Sequence, residues 1–165
     1  MSHSPKQILV MRHAEKPDNK HETGLSEAGH RRADLLATYI PNTYGIPDYV
    51  YASSPTKRSV RPMQTVTPLM QQDRLYWGKG VPLDISFPDS MAKELGERLL
   101  THKHFVNKTV LVCWHHGYIP ELIKALGVEN HGHYPDPWDP SVFDLIVSID
   151  FESGRPLASQ AVTPF

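Results

Sequence analysis

The sequence predicts a three-layer α/β/α sandwich with a mostly parallel central sheet. Short aliphatic runs of strand length recur between longer segments of helical period. Those runs are close to continuously apolar, as strands covered on both faces are. No internal repeat or low-complexity tract interrupts the alternation. At 165 residues, with 39% hydrophobic content, the chain is long enough to bury a core of its own, and a single domain over residues 1–165 is expected.

The elements follow in order. Gln7 to Met11 is a mostly β-branched and aliphatic run that stops at Arg12-His13, so it reads as a buried strand with two polar side chains at its C-terminal end. From Ser26 to Ile40, Ala28, Leu35, Leu36, Tyr39 and Ile40 recur at helical spacing; Ser26 can cap the start and Pro41-Asn42 is expected to end the helix. Asp48 to Ala52 reads as a second strand, Ser53-Ser54-Pro55 as a turn, and Pro62 as the first position of a helix running to about Gln71. Asp73 to Asp89 mixes glycine, proline and aromatic residues without a period and reads as a loop-rich excursion over the sheet. Asp89-Ser90 then caps a helix with Met91, Leu95 and Leu99 on one face. Thr109 to Trp114 is a third buried strand, Ile119 to Leu126 a helix stopped by Gly127, and Phe143 to Phe151 the last strand.

Composition removes several classes of function. The 17 basic and 18 acidic side chains leave a formal charge of -1, so no global cationic field exists to hold nucleic acid or an anionic membrane. Tyr49, Tyr51, Trp77 and Trp114 read as packing residues rather than a base-stacking platform. No stretch approaches the roughly 20 apolar residues that span a bilayer, and the N-terminal residues precede no long apolar run, so a cytoplasmic protein is expected. The single cysteine, Cys113, forms no intramolecular disulfide and lies inside the apolar run from Val110 to Trp114. Of the ten histidines, the short pairs His102/His104 and His131/His133 match no established ligand spacing, and no metal site is expected. Nothing in the periodicity sets an oligomeric state.

Three strand ends collect the polar groups: Arg12-His13, then Ser53-Ser54-Pro55 leading to Arg58 and Arg61, and His115-His116-Gly117. In a parallel sheet these ends share one rim, where open α/β sheets keep their sites. Two imidazoles and two or three guanidiniums meeting there form a local cationic pocket suited to a tetrahedral dianion such as phosphate.

The residues at these ends resemble a known family. Leu9 to Glu15, with Arg12-His13-Ala14, and then Gly24-Leu25-Ser26-Glu27-Ala28-Gly29, are similar to the opening of the histidine phosphatase (phosphoglycerate mutase-like) superfamily, whose pattern is Arg-His-Gly followed by Leu-Ser/Thr-x-x-Gly. Ala14 stands where Gly is commoner. Ser54-Pro55 with Arg58 or Arg61 and Gln64-Thr65 resembles a second block, and Val110-Leu111-Val112 running into His116-Gly117 a third. The resemblance covers roughly residues 7 to 127.

It implies a phosphoglycerate mutase-like fold and a phosphomonoesterase in which His13 is the nucleophile and Arg12 a phosphate ligand. Two alternatives stay open within it. Arg58 lies three residues after Pro55 and Arg61 three before Gln64; Arg61 is preferred because Pro62 starts the helix and its N-terminus attracts phosphate. For the second histidine, an ungapped strand count reaches His115, whereas the His-Gly pair selects His116, which is preferred. His115 and Gly117 then join Arg12, Arg61 and Arg58 as substrate-binding candidates.

A neutral imidazole attacks phosphorus in line near pH 7 without a separate base, giving a phosphohistidine that water hydrolyses. Preorganised donors on Arg12, Arg61 or Arg58, and His116 meet the equatorial charge, and no metal or cofactor is called for. The proton donor is open among Glu15, Asp84, Asp89, Glu94 and His115. The expected substrate is a phosphorylated small molecule or a phosphoprotein. A binding module that kept the pocket and lost turnover is the alternative, and a phosphomutase is disfavoured because the Asp73 to Asp89 excursion is short beside the substrate-enclosing segments of mutases.

Overall fold

The structure is a computed structural model that describes residues 3–165. Six strands and four α-helices follow in the order β1 (Gln7–Arg12), α1 (Glu27–Tyr44), β2 (Tyr49–Ala52), α2 (Arg61–Gln72), β3 (Leu83–Asp84), α3 (Ala92–Thr101), β4 (Thr109–Trp114), α4 (Ile119–Ala125), β5 (Leu145–Glu152) and β6 (Arg155–Val162). They form one sheet of order β3-β2-β4-β1-β5-β6. The pairs β2–β3, β2–β4 and β1–β4 are parallel, and β5 is antiparallel to both β1 and β6.

Alternation along each buried strand sorts the core into two halves. Ile8 and Val10 of β1, with Val112 and Trp114 of β4, pack with Leu95 and Leu99 of α3 and Leu122 and Ile123 of α4. Leu9, Met11, Leu111 and Cys113 face Leu36 and Ile40 of α1 and Val66 and Leu69 of α2. Helices therefore cover both faces of the central strands, which is why those strands carry almost no polar residue until their ends. The α3–α4 packing is close: a Cβ at Gly96 would lie 2.6 Å from that of Ala125.

Four local expectations need correction. Helix α1 does not stop at Pro41-Asn42; Pro41 lies inside it, and the helix ends at Gly45, whose φ of 88° breaks the pattern while its N–H bonds the Pro41 carbonyl at 2.9 Å. Proline removes one N–H donor, and that loss is tolerable near a terminus. Asp89 and Ser90 form a short 3₁₀ turn and provide no side-chain cap for α3. The excursion from Asp73 to Asp89 is partly ordered: the buried Asp73 carboxylate accepts from the amides of Lys79 and Val81 at 2.8 and 2.7 Å, and β3 joins the sheet edge. The last strand is not the end of the sheet, because β5 turns through Ser153 and Gly154, both at positive φ, into β6. Two consecutive positive-φ residues make the turn that suits the twist of a two-residue hairpin. Among the described residues no helix is long and apolar enough to cross a membrane.

Candidate functional site

The parallel strands β1, β4 and β2 end side by side. Met11 and Ala52 are both paired with Cys113, so Arg12-His13, Ser53 and Trp114-His115 arrive at one level of the rim. His13 extends β1 through its amide, which donates to the Trp114 carbonyl at 3.1 Å, and Ser53 does the same to Cys113 at 3.2 Å.

His13 is 2% exposed. Its Nδ1 lies 2.6 Å from the carbonyl oxygen of Ala14. A carbonyl only accepts, so Nδ1 carries the proton and Nε2 keeps its lone pair. Burial pushes the imidazole pKa down to about 3; the Ala14 hydrogen bond opposes this, while Arg12, His115 and Arg61 add to it. The ring is therefore neutral at any ordinary pH.

The backbone around His13 is held by residues distant in sequence. The Ala14 amide donates to Thr65 Oγ1 at 2.9 Å, and that hydroxyl donates to the Arg61 carbonyl at 2.7 Å. The Ser26 amide and hydroxyl both donate to the Glu15 carbonyl, at 2.9 and 3.2 Å, while Ser26 Oγ caps α1 by accepting from the Gly29 amide at 3.0 Å. Gly29 lies so close to this segment that a Cβ would sit 2.3 Å from the Glu15 oxygen. Gln64 Oε1 accepts from the Leu25 amide at 2.9 Å. Ser26, Gly29 and Thr65 thus clamp the chain immediately after His13, and Gln64 holds Leu25, next to Ser26.

Around the imidazole the donors outnumber their partners. Arg12, 3% exposed, donates through Nη1 to the Pro140 carbonyl and lays its guanidinium 4.0 Å over the Phe143 ring. Arg61 Nη1 donates to the carbonyls of Glu22 at 3.2 Å and Gly24 at 3.5 Å. Arg12 Nε, Arg61 Nε and Ser53 Oγ are all buried and have no hydrogen-bond partner among the described residues. Buried polar groups left this way are rare. Burial, with Arg61 next, lowers the Arg12 pKa to about 10, and burial also lowers that of Arg61. A tetrahedral oxyanion would satisfy such donors and relieve the repulsion between the guanidiniums.

The other candidates fall in distinct places. His115 stands edge-on to His13 with ring centroids 5.2 Å apart. Burial lowers its pKa, the charge of Asp89 opposes that, and Arg61 and Arg12 reinforce it. His116 is also lowered by burial, with Arg12 and Lys16 contributing, and it lines with Gly117, Pro120, Lys124 and Trp138 a cleft of about 670 Å³. Arg58 is exposed and, with Arg61, lines a groove of about 800 Å³. Glu15 is ion-paired with Arg32 at 2.8 Å. Asp84 accepts from the Ser86 amide and hydroxyl at 2.8 and 2.6 Å, and Glu94 is exposed on α3. His102 and His104 stack at 4.3 Å, and His131 Nδ1 lies 3.2 Å from the Tyr134 hydroxyl. Among the described residues no group of three or more His, Cys, Asp or Glu could hold a metal ion. Ser53, placed by the sequence among the polar groups at the strand ends but given no role there, stands at the rim with a buried hydroxyl; a serine ending a buried strand was its only signal.

A neutral buried imidazole, with Arg12 and Arg61 near enough to act on its charge, stands at the C-terminal rim of the parallel sheet together with buried donors that a tetrahedral oxyanion could satisfy. The fold, a six-stranded mixed sheet flanked by helices, is that of phosphoglycerate mutase-like structures. The chain is similar to the structure of a protein assigned as the phosphohistidine phosphatase SixA of Agrobacterium tumefaciens, with 21% identity, a TM-score of 0.61, and 92% of this chain and 95% of that one covered. It is similar to the protein histidine phosphatase SixA complexed with tungstate, with 17% identity, a TM-score of 0.61 and coverage of 94% and 96%. The α-ribazole phosphatase of Shigella flexneri shares 16% identity at a TM-score of 0.60, with 96% of each chain covered. No protein-family model and no curated protein sequence matches the chain significantly.

Proposed function

We propose that the chain is a phosphomonoesterase working through a phosphohistidine on His13 Nε2. The observation that carries this reading is the pairing of a neutral, buried imidazole, its proton held on Nδ1 by Ala14, with three unpartnered buried donors on Arg12, Arg61 and Ser53. Fold relatives that are phosphatases, one of them complexed with the tetrahedral oxyanion tungstate, support it.

In the proposed reaction Nε2 attacks phosphorus while the ester P–O bond breaks and its electron pair leaves with the alcohol oxygen. Arg12, Arg61 and Ser53 bind the equatorial oxygens, whose charge is greatest in the transition state. His115, not His116, is the second histidine in this reading, because it is the ring set against His13. Asp89, the acidic side chain whose charge acts on His115, serves as general acid in its protonated form, giving that proton to the leaving oxygen; the carboxylate so formed then takes a proton from the water that cleaves the P–N bond. Glu15 is a positioning residue through Arg32. The substrate is a phosphorylated small molecule or a phosphoprotein.

The test is hydrolysis of p-nitrophenyl phosphate by EDTA-treated protein, wild type against His13→Ala. Turnover that survives EDTA and falls by about a thousandfold or more in the variant is expected. Vanadate binding without wild-type turnover would point instead to a binding module.

A further inference from the structure

Arg31 and Arg32 are neighbours on α1 with different surroundings. Arg31 is exposed and pairs with Glu27, one turn back, at 3.2 Å, an ordinary surface contact. Arg32 is turned inward, with a side chain only 13% exposed. Its guanidinium joins two parts of the chain that are far apart in sequence. Nε donates to Glu15 Oε1 at 2.8 Å, while Nη1 donates to Thr163 Oγ1 at 3.2 Å and to the main-chain oxygen of Phe165 at 2.6 Å. A rigid fork of N–H donors can hold several acceptors at once.

The three residues after β6 are themselves fixed. Thr163 is buried; its amide donates to the Asp144 carbonyl at 2.8 Å, and its hydroxyl donates to the main-chain oxygen of Phe165 at 3.2 Å. The Phe165 ring stands edge-on to Tyr39 of α1, with centroids 5.5 Å apart.

Both ends of this network arrive at the strand-end pocket. Asp144 follows Phe143, the ring that carries the Arg12 guanidinium at 4.0 Å and lies 6.2 Å from the His13 ring. Glu15 follows Ala14, whose carbonyl accepts the proton of His13 Nδ1.

Resting on the phosphatase reading above, we propose that Arg32 and the segment from Thr163 to Phe165 form a brace that positions His13 and Arg12 for phosphoryl transfer. Arg32 is a positioning residue that acts through Glu15 and Thr163. Holding the Glu15 carboxylate fixes the Ala14–Glu15 peptide, and with it the Nδ1 hydrogen bond that leaves Nε2 free to attack. Holding Thr163 fixes the residue beside Phe143, and with it the ring on which Arg12 rests. Such placement matters most in the transition state, where a displacement of about 1 Å can cost on the order of a hundredfold.

The test is a cycle of Arg32→Met, Thr163→Val and the double variant, read by p-nitrophenyl phosphate kinetics and by NMR of protein carrying isotope-labelled histidine. The His13 Nδ1–H signal is assigned by its loss in His13→Asn. Arg32→Met is expected to lower kcat about tenfold and Thr163→Val about threefold, each with KM changed by less than about threefold. The double variant should be no slower than Arg32→Met alone, since both substitutions break one network. Thr163→Ser, which keeps the hydroxyl, should recover most of the loss. In Arg32→Met and Thr163→Val the Nδ1–H proton should move upfield as its short bond to Ala14 lengthens, a shift that lower stability of an intact fold would not produce. Losses that multiply to about thirtyfold in the double variant, or an Nδ1–H signal that stays in place in both single variants, would overturn the brace. Absence of wild-type hydrolysis with the signal still moving would instead overturn the phosphatase reading and leave the brace standing.

Discussion

The parallel half of the sheet and its antiparallel edge are built from the same kind of strand and do different work. Strands β1, β2 and β4 are buried on both faces and deliver Arg12, His13, Ser53 and His115 from their C-terminal ends. The β5–β6 hairpin is longer, half exposed, and delivers none of these; the segment before it contributes only the Pro140 carbonyl and the Phe143 ring as a wall for Arg12. Direction makes the difference. Parallel strands bring all their C-terminal ends to one rim, whereas an antiparallel hairpin presents one strand start and one strand end there, and here the segment leading into the hairpin serves as packing.

Substitutions along the rim should separate neighbours that the sequence leaves equivalent. His115→Ala is expected to cost about a hundredfold in kcat, as for loss of a transition-state donor, while His116→Ala costs less than about threefold. Steady-state kinetics on p-nitrophenyl phosphate decide it, and equal losses would remove the distinction drawn from ring geometry.

Behind the rim, Gly29→Ala should destabilise the fold by about 1–3 kcal/mol, because its Cβ meets the Glu15 backbone rather than a side chain that can move aside. Denaturant unfolding measures the loss, and a neutral result would show that α1 can retreat from the His13 segment.

A smaller effect follows from the burial of His13. The folded ring binds its proton only near pH 3, whereas in the unfolded chain it does so near 6.5. Between those values the unfolded state holds the extra proton, so stability is full above about pH 6.5 and is lost as pH falls, by up to about 1.4 kcal/mol per pH unit for this group. Unfolding of wild type and His13→Asn from pH 7 to 4 should show the steeper decline in the wild type. Phosphate should blunt that decline, since it binds only the folded pocket.

On the hairpin, Val162→Lys should change stability by less than about 0.5 kcal/mol and leave kcat and KM unaltered, because the side chain is 66% exposed on an edge strand. A large loss of activity would mean that the hairpin supports the site more directly than its contacts indicate.

How far the sequence could be read follows the same division. β1 and β4 were legible because double-sided burial leaves an uninterrupted aliphatic run that breaks sharply at Arg12 and at His115. Ser26 as the cap of α1 was legible from local chemistry alone. β6 was not: its residues, from Arg155 to Val162, alternate weakly at an exposed edge, and only Ser153-Gly154 marked the turn. Pro41 misled because a breaker's effect depends on whether its lost hydrogen bond lies near a terminus. Asp73 ordered a segment that looked like loop, through amides six and eight residues away that no pattern announces.

By itself the sequence determined the alternation of strands and helices, the polar break at each strand end, and the neutrality that forces any anion site to be local. Those properties depend on periodicity and residue type, which neighbours along the chain express. Tertiary structure alone decided that His115 faces His13, that Arg12 Nε, Arg61 Nε and Ser53 Oγ are left without a partner among the described residues, and that Arg58 is exposed on the groove it lines with Arg61. The reason is geometric: adjacent residues such as His115 and His116 diverge as the strand ends, and only the packing of β1, β2 and β4 fixes which of them points toward the shared pocket.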